Sequence, residues 1–263
     1  MVVPDQMPAL DIIADLLGRC GTRSSVLPAT ALYNEGWMLR LVLDWFDCHR
    51  TVEHPFAMLE GSRWYSEPLL ASRFLGKSRG DSLAEGWTNA DGVIGHFQLR
   101  PGGRGDIELL RTARQFIVAE AKLGSGLSPG TKNAPTFNQA ARNVACMAHL
   151  LAEAKCAPED FARLGFYVIA PESRIRQGVF DEELRIDGPA GITTVVTERV
   201  RAFAPKHDAW LADTFRRTVA VASIRALSWE DLLNAIRQFD AASGAALDAF
   251  YSQCLEFNRV DRV

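Results

Sequence analysis

No apolar run in this chain of 263 residues approaches the roughly 20 residues a membrane-spanning helix needs, so a membrane partner is not expected. The opening residues, MVVPDQMPALDII, carry no basic region and no small-residue cleavage site, so no secretory signal is expected either. Five cysteines (20, 48, 146, 156 and 254) are scattered, odd in number and free of C-x-x-C spacing. That usage argues against a disulfide framework or a zinc knot and points to reduced thiols in a cytoplasmic protein. Cys146 with His149 on one predicted helix reads more simply as packing than as a nucleophile and its base. No strand runs into a G-x-G-x-x-G turn, since Gly124-Ser125-Gly126 lacks the third glycine, which speaks against a Rossmann dinucleotide site. Internal repeats and low-complexity tracts are absent. A basic excess is absent too: 29 Lys and Arg face 32 Asp and Glu, for a formal net charge of −3.

What the chain does have is enough apolar material for one substantial core. Its 48% hydrophobic content suits a single globular domain over residues 1–263. The abundance of Ala and Arg fits a GC-rich bacterial coding sequence. Residues 29–48 read as a long helix with Leu32, Leu39, Leu43 and Phe46 on one side. Glu35 lies on that same side, where a lone carboxylate is costly unless it is paired or binds a metal. Residues 50–91 read as mostly loop, with a helical turn or two near Pro68–Leu75. Arg63, Trp64, Lys77 and Arg79 in that stretch are candidates for touching nucleic acid, although a loop Trp also serves as a lid over a core. Residues 91–100 read as a first strand, a second begins at Asp106, and a third, Gln115–Ala119, runs into Glu120. His96 either reaches a site or forms a structural hydrogen bond.

Further along, a helix is predicted over about 135–154, with Gln139 and Arg142 projecting together at i,i+3 spacing. Thr136-x-x-Gln139 also satisfies a capping box, which gives Gln139 a purely local alternative role. Leu164–Ala170 is a near-continuous apolar run, the pattern of a buried strand. Helices over 192–203 and 208–222, a strand over 223–227, a helix capped by Ser228 and a last helix over about 244–257 complete the expectation.

The chemistry concentrates in GDIELLRTARQFIVAEAKLGSG, residues 105–126. Side chains alternate along a strand, so Glu120 and Lys122 emerge together while Ala121 points away. A hairpin partner starting at Asp106 would bring a second carboxylate beside them. Two carboxylates with an ammonium group suit a hard divalent cation and a nucleophilic water. The bland alternative is an edge hairpin whose Glu and Lys form a surface ion pair.

Asp106, thirteen residues, then Glu120-x-Lys122 resembles the core motif of the PD-(D/E)XK nuclease superfamily, with Gly105 where the motif name has Pro. The order of elements around it, over roughly Leu32–Ile236, resembles that superfamily as well, down to the Ser228-Trp229-x-x-Leu232 helix start. The resemblance implies an α/β fold with a restriction-endonuclease-like αβββαβ core, a mixed central sheet flanked by helices, plus helical additions. It implies a metal-dependent nuclease, DNA being the expected substrate ahead of RNA. Asp106, Glu120 and the Ala121 carbonyl would hold Mg²⁺ (or Mn²⁺), with Glu35 as a helper from the first helix. Lys122 would orient or activate water, and Gln139 would position water or phosphate.

The acidic balance keeps open a second class, a catalytically inactive nuclease-fold module for binding or assembly in a nucleic-acid-processing or defence complex. Affinity for nucleic acid would then rest on local pairs (Arg100 with Arg104, Arg111 with Arg114, Lys122 with Lys132, Arg174 with Arg176, Arg216 with Arg217), or on a homodimer or larger complex.

Overall fold

Two strands of near-continuous hydrophobicity organise the molecule. In the computed structural model, which describes residues 9–76, 81, 83–203 and 207–261, both lie at the centre of one sheet. Five strands make that sheet, and nine strands occur in the described residues. They are β1 (Arg63–Ser66), β2 (Leu69–Leu70), β3 (Thr88–Asn89), β4 (Gly92–Gly95), β5 (Phe97–Leu99), β6 (Ile107–Leu109), β7 (Gln115–Ala121), β8 (Arg163–Ala170) and β9 (Ser223–Ser228). The sheet order is β1-β4-β7-β8-β9, antiparallel from β1 to β7 and parallel from β7 to β9. The fold is therefore mixed α/β.

Alternation along β7 splits one apolar run between two cores. Phe116 and Val118 face one side with Phe166 and Val168 of β8, while Ile117, Ala119 and Ala121 face the other with Tyr167 and Ile169. Helix α1 (Ala9–Gly18) buries none of its residues. Helix α2 (Glu35–Cys48) covers the second face with Leu39, Val42, Leu43 and Phe46. Helix α3 (Gln139–Ala154) covers the first with Ala140, Val144, Met147 and Leu151. Short helices α4 (Glu172–Arg176) and α5 (Asp181–Leu184) follow β8, and α6 (Ile192–Phe203) packs beside α3. Then come α7 (Asp208–Trp210), a π-type turn, α8 (Arg216–Val221), α9 (Trp229–Phe239) and α10 (Ala241–Phe257). Among the described residues no helix is long and apolar enough to cross a membrane.

The buried strand over 163–170, the helix over 192–203 and the Ser228 cap match the sequence expectation; the Ser228 hydroxyl accepts from Asp231 N–H at 2.9 Å. Three expectations fail. The stretch 50–91 holds three strands, because β1 is neither apolar nor regularly alternating and gives no periodic signal. The long helix over 29–48 is a 3₁₀ turn, Ala29–Ala31, followed by α2, since the Asn34 side chain caps Trp37 N–H and starts a new helix there. The strand at Asp106 does not join the main sheet: β6 pairs with β5 as a separate two-stranded ribbon.

That ribbon leaves the sheet at a corner built by Gly95 and His96. A Cβ on Gly95 would lie 2.4 Å from the Gln115 carbonyl oxygen and 3.1 Å from Phe116 Cα. The His96 ring then bridges Glu60 O at 2.9 Å and the Arg114 and Gln115 N–H groups, so His96 is structural. Gly95→Ala should lower stability by about 2–3 kcal/mol, because the clash is with backbone that cannot rotate away. Urea unfolding should show a lower midpoint at unchanged slope, and a midpoint within error of the parent would refute the tight corner.

Candidate functional site

Glu120 is the most costly residue in the fold. It is a carboxylate with 0% exposure in the most central strand, turned toward α3. Burial of that kind demands partners, and α3 supplies two one turn apart. Gln139 Nε2 donates to Glu120 Oε2 at 2.7 Å, and Asn143 Nδ2 donates to Oε1 at 2.9 Å. Lys122 Nζ, on the same strand face, reaches Oε2 at 3.3 Å. Glu120 and Lys122 are therefore brought together as their spacing suggested, and Gln139 joins them.

The second carboxylate is Asp91, not Asp106. β4 runs antiparallel to β7 with Gly92 opposite Ala119, so the residue before β4 falls opposite Glu120. Asp91 Oδ2 accepts from Ala121 N–H at 2.7 Å and lies 3.8 Å from Lys122 Nζ. A carboxyl–carboxyl hydrogen bond joins it to Glu120. Burial first, and the Asp91 charge second, push the Glu120 carboxyl up to about 8, while Lys122 and Asn143 act in the opposite direction. At neutral pH Glu120 therefore keeps its proton, which it shares in that hydrogen bond.

Asp106 instead shapes a turn, bridged to Leu69. Its Oδ1 accepts from Arg104 N–H at 3.0 Å, and Oδ2 lies 3.5 Å from Arg100 Nε. A Cβ on Gly103 would sit 2.1 Å from that Oδ1, so the Gly-rich turn is folded around the carboxylate. Its placement follows from the ribbon: a residue opening β6 pairs toward β5 and cannot lie opposite Glu120.

Glu35 is likewise elsewhere. It opens α2, half-buried, and its charge falls on Cys254 of α10, helping burial push that thiol up to about 12. Helix α2 lies on the sheet face away from Glu120, which is why its first acid does not reach the cluster. Gln139 is not part of a capping box, because Asn138 caps α3 by accepting from Ala141 N–H at 2.9 Å. Gln139 Oε1 instead accepts from Ser128 N–H at 3.0 Å, anchoring the loop after Lys122. The Ala121 side chain is buried on the opposite face. Arg142 sits beside Glu85, and Lys77 and Arg79 lie outside the described residues.

Two further residues, Asn143 and Glu67, escaped the sequence reading, and Trp229 was read there only as part of a helix start. Asn143 is fully buried, with its Oδ1 unpaired. Glu67 follows β1 with a left-handed φ of 54°, and its N–H donates to Asp91 O at 3.2 Å. Its carboxyl is raised by burial and by Asp91, against the lowering effect of Arg40, whose guanidinium lies 3.3 Å away. Trp229 Nε1 donates to the Lys122 carbonyl at 3.0 Å, so the start of α9 fixes the backbone that carries the lysine. Only the Asp91-Gly92 turn signal before an apolar strand was legible in advance.

Among the described residues no three His, Cys, Asp or Glu side chains stand together as a ready metal cage. Asp91 and Glu120 nevertheless fit a hard divalent cation, since two acids forced together in a buried place need a positive charge between them. Backbone carbonyl and water oxygens would complete such a shell, and the unpaired Asn143 Oδ1 is one more available oxygen.

The raised Glu120 carboxyl carries a stability signature. The unfolded chain releases this proton near the ordinary value of 4.5, and the folded chain keeps it until about 8. Metal-free protein should therefore be most stable below that window and lose stability as pH rises through it, with a slope approaching about 1.4 kcal/mol per pH unit. Glu120→Gln should flatten the slope in denaturant melts run across pH. Identical pH profiles for parent and variant would overturn the assignment of the shared proton.

Comparison of the chain with protein-family models, with curated proteins and with solved structures returns no match, so the functional reading rests on this geometry.

Proposed function

We propose that this protein is a metal-dependent phosphodiesterase acting on nucleic acid, with DNA ahead of RNA as substrate. The carrying observation is the convergence of Asp91, Glu120 and Lys122 at one end of the central sheet. The order α2, β1, β4, β7, α3, β8 follows the αβββαβ order of the PD-(D/E)XK superfamily. On this reading the motif acid is Asp91, with 28 residues between it and Glu120, and the β5–β6 ribbon accounts for the long interval.

A bound Mg²⁺ or Mn²⁺ would supply Lewis-acid polarisation of the phosphoryl oxygens and a more acidic water. The protein's own residues do the rest. Asp91 and Glu120 would hold the cation once the shared proton is released, with the Ala121 carbonyl as a backbone ligand. Gln139 and Asn143 fix both Glu120 oxygens, so the carboxylate cannot rotate away from its task. Lys122 Nζ, held between the two acids, would orient the attacking water and offset charge developing on the phosphate. Trp229 and the β7–β8 pairing keep the lysine backbone in place.

The binding-module alternative draws on one observation: Lys122 satisfies the two acids internally, so the cluster is electrically closed without a cation. A nicking assay on supercoiled plasmid with Mg²⁺ or Mn²⁺ separates the two readings. Asp91→Ala, Glu120→Ala and Lys122→Ala should each lower turnover by roughly 10²-fold or more, while Asp106→Ala keeps activity wherever it keeps the fold. Equal residual activity in the parent and all variants would mark contamination and favour the binding module. Loss with Asp106→Ala in a folded protein, and retention with Asp91→Ala, would restore the motif read from sequence alone.

A further inference from the structure

A nucleic-acid site on a chain of net charge −3 needs local cations, and acids already neutralise several of the candidates. Arg100 pairs with Glu108 at 2.8 Å, Arg217 with Glu159 at 2.6 Å, Arg40 with Glu67 at 3.3 Å, and Arg176 with Glu172. Arg199 is buried against Glu85 at 3.2 Å. Arg174 is different: its charge has no carboxylate partner among the described residues, and its Nε is buried without a hydrogen bond. Its one side-chain contact is Nη1 to Gln177 Oε1 at 3.3 Å, a neutral acceptor.

Arg174 lines a cavity of about 220 Å³ together with Gly124, Ser173, Gln177, Arg259 and Asp261. Gly124 stands two residues beyond Lys122, and Ser173 follows β8 at the edge where Lys122 N–H donates to Ile169 O at 2.8 Å. The cavity thus opens at the strand ends that carry Glu120 and Lys122. Arg259 is exposed, held in the left-handed region at φ 55° just past α10, and has no ion pair among the described residues. Asp261 is the one acid on the rim, so two guanidinium groups outnumber a single carboxylate.

We infer that this cavity, built by Arg174 and Arg259, is a subsite for a backbone phosphate flanking the bond that the Asp91–Glu120–Lys122 cluster would cut. The inference rests on the nuclease reading for its substrate but not for its binding test. Guanidinium donors suit phosphate oxygens because their planar fork presents paired N–H groups, and neither Arg174 nor Arg259 has a carboxylate ion pair among the described residues. Ser173 and Gln177 add neutral polar groups to the same wall.

Two substrates and two sets of variants test it. A fluorescent oligonucleotide, held in Ca²⁺ so that it is not cut, reports binding by anisotropy. Bis(p-nitrophenyl) phosphate with Mn²⁺ reports chemistry on a diester with no flanking phosphate. Arg174→Ala combined with Arg259→Ala should weaken oligonucleotide binding about tenfold and reduce the slope of log affinity against log salt by about 1–2. Hydrolysis of the small diester should stay unchanged. Arg174→Lys, which keeps the charge, should retain most of the affinity and guards against a simple loss of fold. Unchanged oligonucleotide affinity in the double variant overturns the subsite, as does an equal loss on the small diester. A parent protein that binds through these arginines but cuts neither substrate would sink the nuclease reading and leave the subsite standing.

Discussion

The buried carboxyl of Glu120 is the constraint around which the rest of the structure is arranged. An acid at 0% exposure in the central strand costs several kcal/mol unless it is hydrogen-bonded and charge-compensated. Here Gln139 and Asn143 come from the helix above, Lys122 from the same strand and Asp91 from the neighbouring one. The partners come from three pieces of the fold, so the acid ties together β4, β7 and α3. A core that only needed to be stable would place an apolar residue there, as β7 does at Phe116 and Val118 on the same face.

The same need explains the frame around the cluster. Gln139 reaches Glu120 with its Nε2 because Asn138 starts α3 one residue earlier, and its Oε1 accepts from Ser128 N–H in the loop after the lysine. Trp229, fully buried at the start of α9, grips the Lys122 carbonyl from the other side of the sheet. Strand ends of an open sheet are where side chains from several elements can converge without breaking the hydrogen-bond ladder. Asp91 exploits this by lying one residue before β4, free to accept from Ala121 N–H.

Charge is distributed so that the molecule as a whole is mildly acidic while several of its arginines are paired. Arg100, Arg217 and others face a carboxylate, and such exposed pairs contribute little to stability. They do remove those arginines from general attraction to polyanions. The cations that remain unpaired near the cluster, Arg174 and Arg259, therefore weigh more than the net charge suggests.

The sequence by itself determined what depends on local order. The alternation that puts Glu120 and Lys122 on one face, the buried strand at Leu164–Ala170, the Ser228 cap and the helix at Ile192–Phe203 all follow from residues close together in the chain. The pairing of strands was decided only in three dimensions. Asp106 and Asp91 both precede a short apolar strand after a glycine-rich or polar turn, and nothing within either segment states which one lies against β7. Gly95 and His96 settle the matter by sending the chain out into the β5–β6 ribbon, a choice enforced by the backbone of Gln115 and Phe116 twenty residues away. Glu35 was read as a helper at the metal site, but the face that α2 covers set its neighbour as Cys254. Side-chain period is a property of one strand, whereas register and sheet order are properties of pairs, and that is why the sequence named two of the three central residues and the tertiary structure supplied the third.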